Sequence, residues 1–233
     1  MKETLGENNS NTLTSLINLA LYYLEIGDYN KSLESNKIVY EKSKEIWGEN
    51  HDKTLTSLNN LARSYSEIGD EQKALELFKE VYERRKEVLG ENHPDTLISL
   101  SNLASSYDDI GEKSKALEIE ENLYEKSKKI MGENHPFTII VLNNLASSYG
   151  NLGDNLKALD LKKKSYEKEK EILGENHPDT LTILSNLAST YSDIGDNTKA
   201  LELLKEVYEK RKETLGESHP DTLKIRNLID ELK

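Results

Sequence analysis

Apolar residues recur along this chain with a helical period that glycine interrupts at fixed places. Over residues 174–215 they fall first at Leu181, Leu184, Leu187, Ala188, Tyr191 and Ile194, the spacing of one buried stripe on a helix. Gly195 follows at once, and glycine readily takes the left-handed backbone that ends a helix. Asp196 or Asn197 can cap what comes next. A second stripe then runs through Ala200, Leu201, Leu204, Val207, Tyr208 and Leu215 until Gly216. His177-Pro178-Asp179 opens the first stripe: proline suits a first turn, where its missing N–H has no partner to lose, and aspartate favours the positive helix end. The pattern predicts a helix, a tight turn and a longer helix.

This unit repeats. Gly-Glu-Asn-His begins at Gly48, Gly90, Gly132 and Gly174, with Gly-Glu-Ser-His at Gly216 and Gly-Glu-Asn-Asn at Gly6, so each interval is 42 residues (48 − 6, 90 − 48, and so on). Turn glycines stand at Gly27, Gly69, Gly111, Gly153 and Gly195. Self-similarity at such a period means stacked modules rather than one globular core. The expected modules are about 6–47, 48–89, 90–131, 132–173 and 174–215, with a terminal helix over 220–233, all in a single solenoid spanning 1–233. A coiled coil fails because glycine or proline breaks the pattern twice per module.

The tyrosines keep the same register. Tyr23, Tyr65, Tyr107, Tyr149 and Tyr191 share one position of the first helix, and Tyr40, Tyr82, Tyr124, Tyr166 and Tyr208 one position of the second. Such a stripe reads as packing rather than ligand stacking. Trp47 fills the slot of Leu89, Met131, Leu173 and Leu215 and reads as core too.

Composition narrows function. A net charge of −12 repels polyanions, so nucleic acid and acidic membrane surfaces are poor partners. Cysteine is absent, which removes disulfides, thiolate metal sites and a cysteine nucleophile, and is compatible with a cytoplasmic location. No apolar run approaches membrane-spanning length. The five histidines, His51, His93, His135, His177 and His219, lie one per junction, a dispersal suited to capping helices rather than to binding a metal. No Ser-His-Asp set, phosphate loop or HExxH word occurs, so no catalytic residue, metal or cofactor is expected.

Leu187-Ala188, Tyr191, Gly195, Ala200 and Leu204 resemble the tetratricopeptide repeat, and the 42-residue period, the Leu-Asn-Asn-Leu-Ala word at 58–62 and 142–146 and the Leu-Gly-Glu-Asn-His-Pro junction are similar to the long repeats of kinesin light chains. The resemblance implies an all-α, right-handed alpha-alpha superhelix whose first helices line a concave groove that holds extended segments of partner proteins. It also assigns a backbone-holding role to the asparagine before the leucine of each first helix, here Asn18, Asn60, Asn102, Asn144 and Asn186. A carboxamide both donates and accepts, so it can pair with a peptide of any sequence. Bonding of these asparagines to neighbouring helices or water is the competing reading.

Helical geometry extends the face to the residue one before and those three and six or seven after each asparagine. Asn59 and Arg63, Ser105, Asn143 and Ser147, and Ser189 thereby join it. Kinesin light chains that take acidic peptides use basic groove residues; here Arg63 stands nearly alone, so a neutral or basic segment fits the local charge better. The first module differs: Ile17, Leu21 and Leu24 form a greasy strip, which reads either as packing on an upstream helix or on another copy of the chain, or as an anchor pocket for a partner's apolar side chain. Residues 2–6 match 212–216, as if the chain opened inside the tail of a second helix. Two functions remain: a peptide-binding adaptor, or an architectural, self-associating segment of a larger signalling protein.

Overall fold

The computed structural model describes residues 10–232, and the reading of residues 2–6 lies outside them. Among the described residues there are eleven α-helices and no strand: α1 (Ser10–Glu25), α2 (Tyr29–Trp47), α3 (Asp52–Glu67), α4 (Glu71–Leu89), α5 (Pro94–Asp109), α6 (Lys113–Met131), α7 (Pro136–Asn151), α8 (Asn155–Leu173), α9 (Pro178–Asp193), α10 (Asn197–Leu215) and α11 (Pro220–Glu231). First helices of 16 residues alternate with second helices of 19. The all-α helix-turn-helix repeat expected from the glycine punctuation is what the chain forms.

The turns follow from their residues. After α3, Gly69 at φ 83° lets its own N–H reach Ser66 O at 2.8 Å while the Asp70 N–H reaches Tyr65 O at 2.9 Å, so two orphan carbonyls of the ending helix are satisfied at once. Asp70 then caps α4, its Oδ1 accepting from the Lys73 N–H at 3.2 Å. The longer joints rest on histidine. The Nδ1 of His51, His93, His135, His177 and His219 accepts the backbone N–H two residues on, at 3.2–3.3 Å, which makes each histidine the N-cap of a first helix.

The chain divides into two compact units, Met1–Ala116 and Leu117–Lys233. In the first, α1 packs on α2, α2 on α3, α3 on α4 and α4 on α5. Leu55, Leu58 and Ala62 of α3, Ala74 and Val81 of α4 and Leu97 and Ala104 of α5 are all buried in its core. In the second, α7 to α11 pack in the same consecutive manner. Its main cluster joins Leu181, Leu184 and Ala188 to Leu204 and Val207 and to Ile225 and Ile229, so α11 buries its apolar side on α10.

The register tyrosines are buried or half-buried, as packing residues should be. The slot of Trp47 departs from expectation. Trp47, Leu89 and Met131 are half-buried and Leu173 and Leu215 exposed, because the slot is the last residue of a second helix, at the edge of the stack. Trp47 lies 5.7 Å from the stacked ring of His51, with the Lys53 ammonium 4.7 Å above its own ring.

Candidate functional site

The face shared by the first helices can be built residue by residue in each unit. In the first, Asn59, Asn60, Arg63, Asn102 and Ser105 line one cavity of about 300 Å³, with Phe78 of α4 also lining it and Glu67 and Asp109 beside them. A smaller recess of about 40 Å³ adjoins it and shares Asn60, Arg63 and Glu67; Ile17, Leu21 and Leu24 of the greasy strip line it with Asn36 of α2. The strip and the polar face therefore belong to one continuous surface. Ile17 and Leu24 are half-buried and Leu21 is 51% exposed, so the strip keeps free apolar area. Asn18 is exposed, and Ser105 is exposed with its hydroxyl donating to Ser101 O at 3.3 Å.

Within this surface Asn102 Nδ2 donates to Asn59 Oδ1 at 2.8 Å. The bond links α5 to α3, so for this asparagine a neighbouring helix supplies one partner. It leaves the Asn102 carbonyl as an acceptor and the Asn59 amide as a donor, the two functions a peptide backbone requires. Arg63 is paired with Glu67 at 3.6 Å in its own helix. Desolvation first, then the nearby Glu71 and Asp108 carboxylates, raise the Asp109 carboxyl above its ordinary value. The local field is acidic.

In the second unit, Asn143, Asn144 and Ser147 of α7 and Asn186 and Ser189 of α9 occupy the corresponding positions. Asn144 and Asn186 are half-buried, while Ser147 and Ser189 are exposed. Beneath them lies a residue that pattern reading missed. Lys162 of α8 is 4% exposed, and its Nζ donates to Asn143 O and Asn143 Oδ1 at 2.9 Å and to Ser147 Oγ at 2.7 Å. Burial pushes this ammonium down to about 8, against the opposing pull of the Glu120 carboxylate. Glu120 is itself 3% exposed and accepts from Ser148 Oγ at 3.3 Å. Since an ammonium can only donate, the carboxamide oxygen of Asn143 must face it, and its NH2 is turned away as a donor.

One register explains the missed residues. Asn36, Phe78, Glu120, Lys162 and Leu204 occupy the same position of successive second helices, 42 residues apart. All five are buried. A charge in a register that holds Phe78 and Leu204 in other repeats is the sequence signal that could have found them.

No three His, Cys, Asp or Glu side chains among the described residues cluster as a metal site. No helix among them is long and apolar enough to cross a membrane.

Family models of the tetratricopeptide repeat match residues 54–95 and 96–137, and a further one residues 137–213. No curated protein matches the chain. Among solved structures it is similar to the nearly identical TPR-like repeats of a Podosopora anserina protein described as kinesin light chain, at 27% identity and TM-score 0.67, covering 88% of this chain and 97% of that one. BtubC (BKLC) from P. vanneervenii is similar at 21% identity and TM-score 0.69, covering 89% and 82%. A Rap protein complexed with Competence and Sporulation Factor is similar at 14% identity and TM-score 0.70, covering 93% and 63%. The last two likenesses concern the fold alone.

Proposed function

Because this chain belongs to the tetratricopeptide repeat family and its array resembles that of kinesin light chain, we propose that it is a protein-interaction scaffold whose first-helix face holds an extended peptide segment. The observation that carries the reading is the Asn102–Asn59 bond, which sets a free acceptor and a free donor side by side over a cavity of about 300 Å³. Preset polar groups lower the ordering cost of binding. The Rap neighbour, described in complex with Competence and Sporulation Factor, is a relative in fold that holds a partner. Glu67 and Asp109 beside the cavity favour a neutral or basic segment over an acidic one.

Peptides selected on the wild-type chain from a random display library test the reading. Losing both carboxamides in the Asn59→Ala, Asn102→Ala variant should weaken the selected peptides roughly tenfold or more, at about 1 kcal/mol per hydrogen bond. Lys224→Ala on α11 should leave them unchanged. Peptides that bind the double variant as well as the wild type would refute the groove.

A second reading rests on α1. The strip of Ile17, Leu21 and Leu24 keeps Leu21 51% exposed, apolar area suited to self-association. Light scattering decides it: Leu21→Asp should convert an oligomer to a monomer, and a monomeric wild type would remove the reading.

A further inference from the structure

At one position of the second helices the repeats carry, in order, Ser43, Arg85, Ser127, Glu169 and Arg211. The two arginines do the same thing. Arg85 Nη1 donates to Asp95 O at 3.2 Å and to Ser99 Oγ at 3.0 Å, and Nη2 to Thr56 Oγ1 at 3.1 Å. Arg211 Nη1 donates to Asp221 O at 3.3 Å and Nη2 to Thr182 Oγ1 at 3.0 Å. Each guanidinium thus fills a pocket made by a threonine of its own first helix and the opening turn of the next first helix. Both arginines are buried.

In the first module the arginine is replaced by Ser43, yet its acceptors remain. Forty-two residues before Thr56, Asp95 and Ser99 stand Thr14, Lys53 and Ser57. These three and Ser43 line a cavity of about 310 Å³. Ser57 Oγ donates to Thr54 O at 2.8 Å. A hydroxyl so engaged still accepts, as Thr182 shows by donating to Pro178 O while receiving Arg211. Where serine recurs, at Ser127, the threonine of its first helix is replaced by Ile98, which offers no acceptor. Where Glu169 stands, it is replaced by Ile140. The first cavity therefore repeats the threonine, the opening turn and the serine of the Arg85 pocket, with Ser43 where the guanidinium would stand.

One further lining residue suits a cation: Asp52 brings a carboxylate, while Trp47 closes the wall with the Lys53 ammonium already over its ring. Ile17 and Asn60 line both this cavity and the recess beside the peptide face, so a chain lying on that face passes its mouth.

We propose that this cavity is an arginine-binding site: it receives the guanidinium of an arginine side chain from a bound partner, in the place that Arg85 and Arg211 fill from within. The proposal deepens the peptide-binding reading by naming one side chain of the segment. Lysine would fit worse, because a point ammonium cannot spread its donors over a carbonyl and two hydroxyls on separate helices.

Trp47 is the only tryptophan in the chain, so its fluorescence reports on the cavity. The probes are acetyl-Gly-Gly-Arg-Gly-Gly-amide and its lysine and citrulline counterparts. The arginine peptide should give a saturable Trp47 response and bind about fivefold or more tighter than the lysine one, with citrulline silent. Ser43→Arg, which supplies the missing guanidinium, should melt at higher temperature than the wild type and lose the response. Equal binding of the arginine and lysine peptides, or a response that survives in Ser43→Arg, would overturn the assignment. Lys224→Ala on α11 should leave the arginine response intact. Library peptides without arginine that bind the wild-type chain while the arginine probe gives no response would sink the cavity and leave the carboxamide face standing, so the two failures are read separately.

Discussion

Lys162 holds Asn143 by two bonds of 2.9 Å, one to its backbone carbonyl and one to its carboxamide oxygen. The asparagine is thereby fixed in one orientation by a buried cation from the helix beneath. That cation has a pH signature. Its folded-state value of about 8 lies below the ordinary 10.5, so between those values the unfolded chain binds more protons and stability rises with pH. Below about 8 the full cost of burying the charge is present. The gain should be on the order of 2–3 kcal/mol across the window. It stops near the ordinary tyrosine value of 10.0, where Tyr40, Tyr124 and Tyr166, held above that value mainly by burial, favour the unfolded chain as they ionise there. Urea midpoints at about pH 7 and about pH 9.5 should differ for the wild type and not for Lys162→Leu, which should also be the more stable at the lower pH.

Arg85 bridges α3 and α5 through three neutral acceptors. Arg85→Ala should cost about 2 kcal/mol, since hydrogen bonds from a charged donor exceed neutral ones; its Nε, buried without a partner, tempers the loss. Arg85→Lys should recover less than half, because the planar fork is what spans the two helices. Chemical denaturation of the three proteins measures the difference.

Two neighbouring glycines should respond oppositely to alanine. Gly153 has φ 87°, where a side chain is strained, so Gly153→Ala should destabilise by about 1 kcal/mol. Gly150 is helical within α7, and a Cβ there would meet Ala158 Cβ at 3.6 Å, an ordinary contact. Gly150→Ala should stabilise by about 0.5–1 kcal/mol. Paired thermal melts check the sign of each change.

His177 caps α9 through Nδ1. His177→Ala should cost about 1 kcal/mol, while His177→Ser, which restores an acceptor, should recover most of it. Hydrogen exchange at Asp179 and Thr180, in the first turn, should quicken in the alanine variant and not in the serine one.

How legible this protein is from its residues differs between scaffold and site. The helices can be read because glycine marks each end and the apolar stripe has one period, so local chemistry and stacking agree. Asn59 with Arg63, and Asn102 with Ser105, can each be placed on one face because a face of one helix follows from spacing alone, while the meeting of the two faces is implied only by the resemblance to the repeat family. Lys162 and Arg85 cannot. Both sit on second helices, and their roles depend on which first helix lies above, at a distance of 10 to 29 residues in sequence. Trp47 escapes for a related reason: its slot ends a helix, and burial there depends on the joint that follows. Comparison of equivalent positions between repeats is the reading that exposes all three.

The buried register of Asn36, Phe78, Glu120, Lys162 and Leu204 carries an amide, a ring, an acid, a base and an alkyl group on an otherwise repeated frame. Variation at this depth alters what the overlying rim can offer while the turns, caps and stripes stay as they are. An array built in this way can be revised by a single codon per repeat beneath its surface, without having to learn to fold again.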